Sequence, residues 1–100
     1  MTVTREELAT KIDSTDWFTL RAHLERGALI VVDTMLDLAE TGAAVAADEV
    51  AVVERWIASG MLAKPSAAQI RAWEEDRGKR FNCLIVSPYV LFQEITTPSG

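Results

Sequence analysis

Apolar residues recur one helical turn apart along much of the chain, and short runs rich in β-branched residues separate these stretches. Leu8 and Ile12 form a first narrow stripe. Thr4 and Glu7 precede it with capping-box spacing, and Val3 and Leu8 fall where a hydrophobic staple closes. Trp17, Leu20 and Leu24 follow the i, i+3, i+7 pattern and predict a second helix from Thr15 or Asp16 to Arg26. Gly27 is placed to end it in a left-handed conformation. Ala28 to Val32 is apolar without alternation, as in a strand covered on both faces.

Thr34 and Asp37 repeat the capping-box spacing, so a third helix is expected to start near Met35. Its Gly42 costs about 1 kcal/mol relative to Ala. Ala39, Gly42, Ala43 and Ala46 offset that cost where another backbone packs closely. Asp48 is the next N-cap candidate; Val50, Val53 and Ile57 then make one stripe, with Val52 and Trp56 beside it, up to Gly60. Met61 to Ala63 reads as a short edge strand. Ser66 and Gln69 open a fifth helix with Ile70 and Trp73 inward and Gly78 as its stop. Phe81 to Val86 is a strand, Pro88 breaks the ladder, and Tyr89 to Ile95 is the last strand.

The order is α-α-β-α-α-β-α-β-β. It predicts an α/β domain, or an α+β one, with about five helices on a small mixed sheet of about three to four strands. The long helical link from Val32 to Phe81 suits a parallel pair with a right-handed crossover. The 100 residues suffice for one domain, placed at 1–95, with 96–100 as a frayed tail.

Charge narrows the function. Fifteen acidic residues against ten basic ones leave a net charge of −5, which argues against a general electrostatic grip on nucleic acid. Such binding would need a local basic stripe from Arg21, Arg26, Arg77, Lys79 and Arg80. The start of the chain lacks a signal-peptide pattern, and the longest apolar run, Ala28 to Val32, is far short of the roughly 20 residues of a membrane span. A single Cys allows no intramolecular disulfide and fits a reducing, cytoplasmic setting.

Catalytic motifs are absent. There is no Cys-x-x-Cys, His-Glu-x-x-His, G-x-G-x-x-G, Walker loop or G-x-S-x-G, so no cofactor is expected. Asp33, Asp37 and Glu40 are metal candidates for Mg²⁺ or Ca²⁺, but acids at a helix start are accounted for by capping and the helix dipole. His23, between Arg21 and Arg26, is a candidate general base, with Asp37 the other catalytic candidate; at a helix rim a structural role is the commoner one. Cys83 lies in a buried-strand pattern and reads as inert. Trp17, Trp56 and Trp73 fall at core spacings; a fully buried Trp56 would cost about 3–5 kcal/mol on truncation to Ala. The run Glu74 to Arg80 reads as a solvated helix end.

The string Trp17, His23-Leu24-Glu25-Arg26-Gly27-Ala28-Leu29-Ile30-Val31-Val32 and Leu36-Asp37-Leu38 resembles the opening of a bacterial family known only as a domain of unknown function (DUF 2288). Asp48, Trp56, Gly60, Leu62, Pro65, Gln69, Trp73 and the segment Ile85-Val86-Ser87-Pro88-Tyr89-Val90-Leu91-Phe92-Gln93 extend the resemblance, which spans roughly 16–94. It implies a small bacterial cytosolic protein and brings no activity, cofactor or site residue.

These absences favour a non-enzymatic interaction module, a homodimer or an adaptor, whose partner is another protein or a second copy and neither nucleic acid nor membrane. Val52, Trp56, Tyr89 and Phe92 are its partner-binding candidates, the last two through an uncovered edge of the Tyr89–Ile95 strand. The alternative is a small-molecule-binding domain or small enzyme using His23 with Asp33, Asp37 and Glu40. Convergence of those groups in one cleft separates the two readings.

Overall fold

The structure, a computed structural model, describes residues 4–95. Thr4 caps the first helix, α1 (Arg5–Ala9), its hydroxyl accepting from the Glu7 N–H at 3.2 Å. The staple partner Val3 and the tail at 96–100 lie outside the described residues.

The second element differs from the expectation. Asp13–Asp16 is a strand, β1, followed by only one helical turn, α2 (Trp17–Leu20), and a 3-10 turn over Arg21–His23. Asp16 is both the last residue of β1 and the cap of α2, accepting from the Thr19 N–H at 2.9 Å. Trp17 and Leu20 point into the core as their spacing requires, while Leu24 stays at the surface. Gly27 takes φ 65°, the left-handed stop anticipated for it. Strand β2 (Leu29–Val32) follows.

Asp37, not Thr34, caps α3 (Leu38–Ala46), so this helix starts three residues later than the Met35 expectation. The Asp37 carboxylate accepts from the Glu40 N–H, which gives Glu40 the N3 place. At Gly42 the close neighbours are side chains, not another backbone: an added Cβ would lie 2.5 Å from Leu84 Cδ2 and 3.3 Å from Leu8 Cδ1. Asp48 adopts a left-handed φ of 56° in the turn, a conformation Asp tolerates better than most residues, and Glu49 becomes the cap of α4 (Val50–Ala58). Strand β3 is short (Leu62–Ala63). Helix α5 (Ala67–Glu75) has the expected capping box, with Ser66 and Gln69 each accepting from the other's N–H. It ends at Asp76, before Gly78. Strands β4 (Arg80–Val86) and β5 (Tyr89–Glu94) form an antiparallel hairpin across Ser87-Pro88.

The sheet has five strands in the order β1-β4-β5-β2-β3, slightly more than the three to four expected, giving an α+β fold with a mixed sheet. The parallel partner of β2 is β5, with Leu29 opposite Val90 and Val31 opposite Phe92. Strand β4 therefore runs antiparallel to β2 and does not adjoin it, which corrects the expected parallel pairing of the Phe81 strand. The other neighbours, β1 with β4 and β2 with β3, are antiparallel.

Alternation along the strands sends side chains to two faces. One face carries Val32, Leu62, Leu84 and Leu91 under Leu8 of α1 and Leu38 and Ala39 of α3. The other carries Leu29, Phe81, Val90 and Phe92 under Trp17 and Leu20 of α2 and Trp73 of α5. Trp73 is central there, with ring centroids 5.2 Å from Trp17, 5.2 Å from Phe81 and 5.5 Å from Phe92. Its Nε1–H donates to Glu94 Oε1 at 3.1 Å. Among the described residues no helix is long and apolar enough to cross a membrane.

Candidate functional site

Helix α4 stands out from the other long helices because none of its nine residues is buried. Val52, Val53 and Trp56 are half-buried. Val50 and Ile57, on the expected inward stripe, are 51% and 57% exposed. The helix rests lightly at the β2–β3 end of the sheet and leaves a groove of about 320 Å³ beneath it. That volume falls in the range of small-molecule sites.

Sheet residues Ile30, Leu62 and Leu91 line this groove, with Val45 of α3 and Val53 and Ile57 of α4. Polar side chains enter the lining only at Lys64 and Tyr89. Strand alternation explains the apolar floor: Ile30 and Leu91 are opposite each other in the parallel pair and point to the same face. Tyr89 also borders a second cleft, of about 420 Å³, with His23, Arg26, Gly27 and Ile85. Lys64 Nζ lies 3.7 Å from where a Cβ on Gly27 would stand. Arg26 meets His23 Nδ1 through its guanidinium. Lys64, Arg26 and His23 thus gather where the two cavities adjoin.

The other candidates disperse. His23 belongs to the turn after α2, before β2 begins, whereas Asp33 and Asp37 follow the far end of β2. Asp33 accepts from the Met35 N–H at 2.8 Å, and Asp37 is engaged by Glu40 N–H and by Arg5 Nε at 3.0 Å. Among the described residues no three His, Cys, Asp or Glu side chains converge as a metal site. The Glu74–Arg80 run is more than a solvated helix end: Glu74 pairs with Arg21 at 2.9 Å, Lys79 with Glu94 at 3.4 Å, and Arg80 donates to Ser14 Oγ. Arg21 and Arg77 both lie over the Phe18 ring. Arg21 and Arg77 thus share Phe18, while Arg26, Lys79 and Arg80 make separate local contacts with His23, Glu94 and Ser14.

One partner-binding candidate and the expected open edge of the last strand are corrected. Phe92 is fully buried in the aromatic cluster and offers no surface. Strand β5 is hydrogen-bonded on both sides, so it is not an open edge. Val52, Trp56 and Tyr89 remain accessible, and Trp56 packs only partly against the core. Truncating Trp56 should therefore cost less than the buried-tryptophan value. The groove floor and Lys64 escape a reading by periodicity, because the gap depends on how shallowly α4 docks. The one local signal is apolarity on more than one stripe of α4.

Two titrating groups have measurable consequences. The Asp37 carboxyl is held below its ordinary pKa, first by the hydrogen bond from Arg5 and then by the Glu40 N–H. A depressed folded pKa contributes stability that is complete above the unfolded value of about 3.9 and lost as pH falls through the lower folded value. Thermal melts from pH 6 to pH 2 should show this acid arm, and Asp37→Asn should flatten part of it. An unchanged profile would remove Asp37 from the account. Burial, then the charge of Asp13, pushes the Cys83 thiol up. Native protein at pH 8 should react with a thiol reagent at least about tenfold more slowly than denatured protein, since the thiolate is the nucleophile. Equal rates would contradict the half-buried place of Cys83 in β4, which is less buried than the sequence pattern suggested.

A search of curated proteins finds no match. Among solved structures, the chain is similar to PA1075 from Pseudomonas aeruginosa, determined in solution by NMR: TM-score 0.79, 29% identity, with 93% of this chain and 85% of that one covered. The resemblance noted in the sequence is supported by a family profile that matches residues 3–94. The chain belongs to the family described as protein of unknown function (DUF2288).

Proposed function

We propose that the protein works by binding rather than by catalysis, and that its working surface is the apolar groove along α4. The observation that carries this reading is a nine-residue helix with no buried residue lying over an apolar cavity. A helix that served only the monomer core would bury a stripe. The separation of His23 from Asp33, Asp37 and Glu40 supports binding over acid–base chemistry. The free Cys83 and the similarity to a Pseudomonas protein support a bacterial cytoplasmic setting.

A neutral solvatochromic dye such as Nile red tests the groove. Wild-type protein should bind it at one saturable site, and Val53→Trp, which fills the cavity, should abolish that site while the protein stays folded. Undiminished binding by Val53→Trp would sink the proposal. A second reading, in which the same face pairs with a second copy, is favoured by the exposure of Val50 and Ile57. Light scattering distinguishes it: a dimer that Ile57→Lys converts to monomer would assign the face to self-association.

A further inference from the structure

We infer that the α4 groove takes a small anionic amphiphile, with its hydrocarbon part on Ile30, Leu62 and Leu91 and its anionic head at Lys64. The inference rests on the binding reading above and adds the chemistry of the occupant. The groove has an apolar body and a polar end, since Lys64 and Tyr89 are its two polar lining side chains. Both can donate hydrogen bonds, and the ammonium carries a full positive charge.

The lining is one-sided in charge: Lys64 is its one charged residue and no Asp or Glu lines it. Among the described residues Lys64 and Arg26, like Lys11, Arg55, Arg71, Arg77 and Arg80, make no ion pair with a carboxylate. Lys64 Nζ reaches over Gly27, the residue after Arg26, so two unpaired cations lie at adjoining rims. Lys64 is exposed, so its charge is hydrated without a ligand; a cationic head would be repelled there, and an uncharged one would gain no ionic attraction. A carboxylate, sulfonate or phosphate oxygen accepts from such donors with charge-assisted strength. The groove, about 320 Å³ and open on one side, accommodates a short hydrocarbon chain.

Octanoate is the probe. Its displacement of Nile red from the wild-type chain should be compared with that of octan-1-ol and octyltrimethylammonium. Octanoate should bind at least about tenfold more tightly than the alcohol, and the cation weakest. Lys64→Gln should bring octanoate down to the level of the alcohol, leave the alcohol unchanged, and be rescued by Lys64→Arg. Val53→Trp should abolish all three. Equal binding of octanoate and octan-1-ol, or no effect of Lys64→Gln, would overturn the anionic assignment and leave the groove itself standing. Absence of dye binding in wild type would overturn both.

Discussion

Trp73→Ala is expected to be the most damaging single truncation in the molecule, at about 3–5 kcal/mol. The ring touches Trp17, Phe81 and Phe92 and fixes α5 to the sheet, so its loss empties the centre of one of the two cores. Nothing nearby can slide in, because Phe81 and Phe92 belong to central strands and are fully buried. The hydrogen bond from Trp73 Nε1 to Glu94 goes with it. Against a total stability of about 5–15 kcal/mol, the variant should melt more than about 12 °C below wild type, at about 4–8 °C per kcal/mol for a domain of this size. Trp73→Phe keeps much of the packing and should recover most of the loss. A melting point within 3 °C of wild type for Trp73→Ala would show that this aromatic cluster does not hold the second face together.

The second large effect is at Gly42. A Cβ there overlaps Leu84 Cδ2, and Leu84 is fully buried between its neighbours. Alanine gains about 1 kcal/mol of helix propensity, which offsets part of an overpacking cost of about 1–3 kcal/mol. Gly42→Ala should thus lie between neutral and a loss of about 2 kcal/mol. Gly42→Val adds two methyl groups with no propensity gain to match, and a loss of about 2–3 kcal/mol is expected. Denaturant titration measures both. Gly78→Ala is the control, since the nearest atom to an added Cβ is Asp76 Oδ1 at 3.9 Å. If Gly42→Val unfolded at the wild-type denaturant concentration, α3 would not sit as close to β4 as the structure has it.

Local signals were legible where the physics is local. The Ser66–Gln69 box and the left-handed stop at Gly27 use contacts within a few residues, and both are present. The run from Leu29 to Val32 was readable as a doubly covered strand because both of its faces are apolar. Asp13-Ser14-Thr15-Asp16 was not, because a polar edge strand has no apolar alternation; it exists because β4 offers it a hydrogen-bonding edge. At the start of α3 two capping residues competed within one turn, and Asp37 prevailed, with Arg5 adding an ion pair from 32 residues away. The apolar excess of α4 was visible, but the cavity beneath it is tertiary. Phe92 was misplaced for a similar reason: in Val90-Leu91-Phe92 all three side chains are buried, so the run does not reveal which neighbours cover the strand.

The strand order has a consequence for how the chain folds during synthesis. Strand β5 is the middle of the sheet and the last of the five strands to leave the ribosome. Before residues 89–94 emerge, β2–β3 and β1–β4 are two separate two-stranded pieces, each with an open edge where β5 pairs in the finished sheet. Isolated pairs of that kind are marginal in water. Nascent chains stalled before Tyr89 should therefore be protease-sensitive and prone to associate, and protection should appear in one step once β5 clears the exit tunnel. Arrival of that strand joins the two halves, so the domain has little opportunity to fold in stages.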